Sequence, residues 1–237
     1  MSENKSGIKL FKIELPVYYD LVSELVSYLN EVELQRAEKY HYPKDTNRFI
    51  ICRTFLKFIL AQKLRLDISE IQIKKDENKK PYLSSDKSIH FNVSHTERFA
   101  IIAISNNPVG VDVEYINKNF DYSEVLPHVF NKQEVDAVLK SNTKDYTFYK
   151  FWTRKEAFVK ATGKGISDSL PQIPATDGNH SINPHLLGNF KSLNVLSFDL
   201  HTDYIAALAF GGKNIDTDEL LIYNLPTSLE KLIAFIN

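Results

Sequence analysis

The chain has 237 residues, 43% hydrophobic and 12% aromatic, with 29 basic and 30 acidic side chains for a net charge of -1. That length buries a core in one large domain or two small ones, and the composition excludes a disordered polymer. The charge balance argues against a general nucleic-acid binder, which carries a basic excess. The single cysteine, Cys52, lies in an apolar run with no partner for an internal disulfide.

Residues 8–15 alternate apolar and polar and predict a strand. Residues 19–40 predict one or two amphipathic helices, with Leu21, Leu25, Tyr28 and Leu29 on one stripe. Pro43 opens the next helix, predicted over 43–64. Its Ile50, Phe55, Leu56, Phe58, Ile59 and Leu60 make it apolar nearly all round, and therefore central. Residues 71–83 read as two strands about a turn at Asp76-Glu77-Asn78, followed by strands at 89–93, 99–105 and 108–115. Helices are predicted over 124–140 and 145–162. Beyond Gly163 the chain turns β-rich, with a turn at Asp177-Gly178-Asn179 and strands around Ser197, Ile205 and Leu221. The polar residues 1–7 lack the apolar core of a signal peptide, and no apolar run is long enough to span a bilayer. The expectation is a cytoplasmic protein.

Residues 95–103 (His-Thr-Glu-Arg-Phe-Ala-Ile-Ile-Ala) resemble residues 201–209 (His-Thr-Asp-Tyr-Ile-Ala-Ala-Leu-Ala) at constant spacing, each preceded some way back by an apolar helix. Two similar αβ halves joined near Asn106-Asn107-Pro108 would produce this echo. Chance likeness of two Ala/Ile-rich strands is the other reading.

Four groups of residues carry possible chemistry. On the strand Val109-Gly110-Val111-Asp112-Val113-Glu114, alternation puts Asp112 and Glu114 on one face. Two carboxylates there are either an ordinary half-exposed strand or half of a Mg²⁺ site, since Mg²⁺ takes hard oxygen ligands. On the helix from Phe151 to Lys160, Trp152, Glu156 and Lys160 share a face. Glu156 and Lys160 are an exposed ion pair or catalytic groups, and Gly163-Lys164-Gly165 frees backbone to approach a ligand. Phe91-Asn92-Val93-Ser94-His95 ends a strand in a hydroxyl and an imidazole, a structural corner or a site. Arg36, Lys39, Lys44, Arg48 and Lys79-Lys80-Pro81 are a solvated surface or phosphate contacts.

In their order and separations, Phe91 to His95, Gly110 to Glu114 and Trp152 to Lys160 resemble the three motifs of the Sfp-type 4′-phosphopantetheinyl transferases. The similarity runs from about Arg36 to Gly165 and more loosely to the end. The resemblance implies an α+β fold of the long single-chain type, a pseudo-dimer of two αβ halves, each an antiparallel sheet on a long helix. The halves would be residues 1–107 and 108–237, the second carrying the metal ligands. It implies transfer of 4′-phosphopantetheine from coenzyme A to a serine of an acyl or peptidyl carrier protein by a monomeric, Mg²⁺-dependent enzyme.

Position by position, Asp112, Glu114 and Glu156 match the magnesium ligands. Ser94 and His95 match residues holding the coenzyme A phosphates, and Lys160 matches a pyrophosphate contact. Lys80 matches the lysine of a Gly-Lys-Pro motif near the nucleotide. Arg36 and Arg48 fall near the adenosine 3′-phosphate. Glu156 is the expected base, with Glu134 as the alternative. Residues 120–132 are the expected carrier rim. Two positions depart from the family pattern: Lys79 replaces the glycine of Gly-Lys-Pro, and Phe49 replaces a hydroxyl residue. A metal-dependent coenzyme A or nucleotide pyrophosphate hydrolase, and a catalytically inactive coenzyme A or carrier-binding module, are the competing readings.

Overall fold

The structure, a computed structural model, describes residues 7–165, 169–176, 178–180, 184–187, 190, 192–213 and 215–236. In chain order the elements are β1 (Lys9–Glu14), α1 (Val22–Leu25), α2 (Glu31–Ala37), α3 (Pro43–Leu64), β2 (Ile73–Lys75), β3 (Pro81–Leu83), β4 (His90–His95), β5 (Phe99–Ser105) and β6 (Val109–Tyr115). They continue with α4 (Leu126–Val129), α5 (Lys132–Lys140), α6 (Lys144–Thr162), β7 (Gly178–His180), α7 (Pro184–Leu187), β8 (Leu193–His201), β9 (Tyr204–Phe210), β10 (Ile222–Asn224) and α8 (Leu229–Ile236).

Residues 19–40, predicted as one or two helices, are interrupted, and the helix predicted over 124–140 is divided. Leu29 turns extended and Asn30 caps α2 through a capping box with Glu33. Phe130 does the same before Asn131, whose capping box with Glu134 starts α5. In both places an Asn-x-x-Glu start signal overrides the apolar periodicity that runs across it. Of the predicted turn at 177–179, Asp177 lies outside the described residues, and Gly178 and Asn179 belong to β7.

The fold is α+β, as expected. One sheet has the order β10-β1-β5-β4 and the other β6-β9-β8-β7, with β2 and β3 forming a separate hairpin. Within β1-β5-β4 and within β6-β9-β8 every pairing is antiparallel. Each set is strand, long helix and hairpin in the same neighbour order. The two echoed sequence stretches fall on equivalent places, running from β4 into β5 and from β8 into β9.

Strand alternation distributes the core into layers. Ala100, Ile102 and Ile104 of β5 pack with Phe55, Phe58 and Ile59 of α3. The opposite face, Phe99, Ile101 and Ala103, packs with Val109, Val111 and Val113 of β6 in a cluster shared by the two sheets. Helix α6 covers the second sheet through Ala157, Phe158 and Ala161. Helix α3 is buried almost continuously from Phe49 to Ala61, as its apolar character requires.

The last two elements return to the first sheet. β10 pairs in parallel with β1, Leu10 facing Ile222, and Leu225 and Leu232 enter the cluster around α3. No described helix is long and apolar enough to cross a membrane.

Gly110 sets the distance between β6 and α6. A Cβ there would lie 2.0 Å from the Ala157 carbonyl oxygen and 2.3 Å from the Ala161 nitrogen. These are helix backbone atoms that cannot swing aside. Gly110→Ala is therefore expected to cost about 3 kcal/mol or more through forced separation of strand and helix. A urea unfolding midpoint within experimental error of wild type would contradict this packing.

Candidate active site

Gly110, Asp112 and Glu114 occupy the face of β6 toward α6. Successive same-face residues on a strand are about 6.6 Å apart, and positions i and i+4 on a helix about 6 Å. The near match lets one row meet the other. Lys160 sits on Asp112, its Nζ 2.5 Å from Oδ1. Trp152, two turns back along α6, hydrogen-bonds Glu114, and Glu156 lies between them in sequence.

Strand β4 brings the other half of the chain to the same place. Asn92 Oδ1 accepts from the Val111 amide at 2.8 Å, Ser94 Oγ donates to Asp112 Oδ1 at 2.8 Å, and Thr96 Oγ1 donates to Glu114 Oε2 at 3.4 Å. Lys160 also donates to Ser94 Oγ at 3.0 Å. Side chains, in a regular two-residue step, thus join the edges of the two sheets.

The carboxylates are under electrostatic pressure. Burial first, then Asp112, pushes the Glu114 carboxyl up to about 7, against the lowering pull of Lys160, Trp152 and Thr96. Glu156 is raised for the same two causes in the same order. Asp112 is only 3% exposed. Buried oxygens normally find partners, yet Asp112 Oδ2 and Glu156 Oε1 are buried with none. Like-charged groups crowded together with stranded oxygens fit a bound cation. No group of three or more His, Cys, Asp or Glu among the described residues is gathered tightly enough to hold a metal as it stands. Mg²⁺ does not require one, because it commonly takes one or two carboxylates and completes its shell with water and phosphate oxygens.

On the other face of β4, Val93 and His95 line a cavity of about 260 Å³. Its walls carry five cations, Arg36, Arg48, Arg53, Lys75 and Lys79. The one lining carboxylate, Asp45, is 2.6 Å from Arg48. Phe49 orders two of the guanidinia: Arg36 lies 4.9 Å and Arg53 5.7 Å from its ring centroid. The aromatic face does by cation–π attraction what a hydroxyl could not. Burial first, then Arg48 and Lys160, pushes the His95 imidazole down to about 4, opposed by Asp112. Part of its surface is open to solvent, which screens those charges, and the downward shift leaves His95 neutral near pH 7.

Lys80 faces away from this cavity. Its Nζ donates to the Ala161 carbonyl at 2.5 Å near the end of α6, and burial lowers it to about 8. It lines a second cavity of about 780 Å³. A third, of about 260 Å³, opens beside Glu114 between Phe120, Val125, Phe148, Tyr149 and Trp152.

Glu134 is engaged elsewhere. Its Oε2 accepts from Lys155 at 2.8 Å and from the Asn131 amide at 3.0 Å, and Oε1 accepts from the Ala175 amide at 3.1 Å. Lys155, 1% exposed, also donates to the Leu170 and Ile173 carbonyls. The carboxylate ties α5 and residues 169–176 to α6.

The sequence profile of the 4′-phosphopantetheinyl transferase superfamily matches residues 108–209, and that of the 4′-phosphopantetheinyl transferase N-terminal region matches residues 17–107. A gsp transferase of Aneurinibacillus migulanus is 30% identical over 163 residues, 67% of each chain. The chain belongs to the 4′-phosphopantetheinyl transferase family. A Synechocystis protein whose name assigns it provisionally to 4′-phosphopantetheinyl transfer is 33% identical over 67% of this chain and 66% of its own length. The transferase Sfp of Bacillus subtilis is 27% identical over 72% of this chain and 77% of its own.

Within this member of the family, sequence reading overlooked Arg53, Lys75 and Thr96, and named Lys79 only as one of a group of basic residues that are surface or phosphate contacts. Arg53 sits inside an apolar helix, where the charge was the available signal. Thr96 was visible as the next same-face residue after Ser94. Lys155 of the Trp152–Lys160 motif is structural, so Glu134→Ala leaves a buried ammonium unpaired. That substitution is expected to destabilise the fold by roughly 3–5 kcal/mol. Thermal unfolding checks it: an unchanged melting temperature together with abolished turnover would instead make Glu134 a catalytic group.

Proposed function

We propose that the protein transfers the 4′-phosphopantetheine of coenzyme A to a serine hydroxyl of an acyl or peptidyl carrier protein, in a Mg²⁺-dependent reaction. The observation that carries this reading is the pair of stranded carboxylate oxygens, Asp112 Oδ2 and Glu156 Oε1. They lie on the β6 and α6 elements that also bear Glu114 and Lys160. Asp112, Glu114 and Glu156 are the residues from which Mg²⁺ would take its one or two carboxylate ligands, and when bound it would neutralise charge on the pyrophosphate and orient it.

The chain's own groups supply the rest. The serine oxygen bonds to the β-phosphorus, the bond from that phosphorus to the bridging oxygen breaks, and adenosine 3′,5′-bisphosphate leaves. Glu156 takes the serine proton. Burial and the neighbouring Asp112 raise its carboxyl, which brings its proton affinity closer to that needed of a base near neutral pH. Glu134, with both oxygens committed to Lys155 and to backbone amides, is the poorer candidate. Lys160 serves the pyrophosphate and the neutral His95 donates a hydrogen bond to phosphate oxygen, while Ser94 orients Asp112 and Lys160. Arg36 and Arg48 hold the nucleotide end. Lys80 supports that end indirectly, by pinning the β2–β3 hairpin to α6.

Residues 1–107 and 108–237 act as two related halves, which the matching orders β1-β5-β4 and β6-β9-β8 support, with β10 and α8 of the second half returning to the first sheet. The side-chain ladder between β4 and β6 completes the site within one chain, so a monomer suffices. The carrier docks over residues 120–132, where the aromatic cavity beside Glu114 reaches the surface at Phe120.

The test is intact-mass spectrometry of apo carrier proteins incubated with the protein, coenzyme A and Mg²⁺, with an EDTA control. A gain of one phosphopantetheine that requires metal is expected. Cleavage of coenzyme A without carrier modification would favour the hydrolase instead. Asp112→Asn should abolish the gain. It should also remove the rise in melting temperature that Mg²⁺ produces in the wild type, a readout independent of turnover. A variant that keeps both would remove Asp112 from the metal site.

A further inference from the structure

The β2–β3 hairpin forms part of the wall of the cation-lined cavity and turns through an unusual residue. Lys79 has φ +65°, one of three non-glycine residues with positive φ among those described. Its amide donates to the Asp76 carbonyl at 3.0 Å, the Asp76 amide donates to the Lys80 carbonyl at 3.0 Å, and the Lys80 amide donates to Asp76 Oδ1 at 2.9 Å. This is a turn closed by a left-handed residue, the position in such hairpins that glycine fills without steric cost. The related motif has glycine there. Here a lysine accepts the strain.

A backbone outlier of this kind is reason to ask what its side chain does. Lys79 lines the cavity with Arg36, Arg48, Arg53 and Lys75. Of these, Arg48 is paired with Asp45 and Arg53 lies 3.6 Å from Glu33. Lys75 is held below its ordinary value by burial first and then by Arg36, Arg53 and Lys79, which shows the cations crowding one another. A concave wall with such an excess of positive charge suits a ligand group of concentrated negative charge. A phosphomonoester carries about −1.5 to −2 at neutral pH, more than the single negative charge on each phosphate of a pyrophosphate diester.

We propose that Lys79 is a specificity-determining residue: from its left-handed turn it binds the 3′-phosphomonoester of coenzyme A, and so selects coenzyme A over dephospho-coenzyme A. This rests on the coenzyme A reading above. It also assigns the two lysines of Lys79-Lys80-Pro81 different work, Lys79 to the ligand and Lys80 to the end of α6.

Calorimetric titration of the full-length protein with coenzyme A and with dephospho-coenzyme A tests this. The wild type should prefer coenzyme A. Lys79→Gly, which removes the charge and relieves the backbone, should bind coenzyme A about tenfold more weakly, the scale of one charge-assisted contact. Its affinity for dephospho-coenzyme A should not change, and its melting temperature should equal or exceed that of the wild type. Lys79→Arg should keep the preference. Equal loss for both nucleotides, or no loss for either, would overturn the assignment of Lys79. A wild type that binds both nucleotides equally would remove the 3′-phosphate from this cavity. A wild type that binds neither would instead sink the coenzyme A reading itself.

Discussion

Helix α6 lies against β6 at backbone contact distance because residue 110 has no Cβ. Every catalytic proposal depends on that approach. With the helix this close, Lys160 reaches Asp112, Trp152 reaches Glu114, and Glu156 falls between them. A wider gap would leave the same residues on the same elements, facing solvent as unrelated surface charges. The glycine that reads in sequence as one of five motif residues is the spacer that makes the other side chains a site.

The second organising feature is a separation of charge across one strand. β4 presents Ser94 to Asp112 of β6 and Lys160 of α6, and His95 to the cation-lined cavity. Alternation of side chains along a strand places these environments back to back. A net charge of -1 conceals this arrangement. Each cluster is destabilising by itself: the acidic one strands buried oxygens and raises two carboxyls, while the basic one depresses a lysine and a histidine. Strain of this type is tolerable where a ligand of opposite charge relieves it. Under the function proposed above, coenzyme A, with its pyrophosphate and its 3′-phosphomonoester, and a divalent cation would relieve both.

Much of this was legible in the sequence. Periodicity located the long helices, with α3 running from Pro43 to Leu64 and α6 from Lys144 to Thr162. The face shared by Asp112 and Glu114 followed from strand alternation alone. What escaped had identifiable causes. The capping boxes at Asn30 and Asn131 are short-range hydrogen bonds that override a longer apolar rhythm. The roles of Glu134 and Lys155 depend on a contact across two helices, which neighbouring sequence does not encode. Lys79 looked like a departure from a motif because residue identity was visible and φ was not. The parallel pairing of β10 with β1 joins residues more than two hundred positions apart, beyond the reach of any local pattern.

That pairing has a consequence for how the protein is made. Strand β1 pairs with β5 on one edge, but its other edge stays open until Ile222–Asn224 are synthesised. Leu225 and Leu232 cover part of the cluster around α3 only then. Throughout translation of the second half, the first half carries an unpaired strand edge and uncovered apolar surface. These are features that invite chaperones or wrong neighbours. These elements therefore act as a latch: the first sheet acquires its edge partner and its cover only after the second sheet has been synthesised.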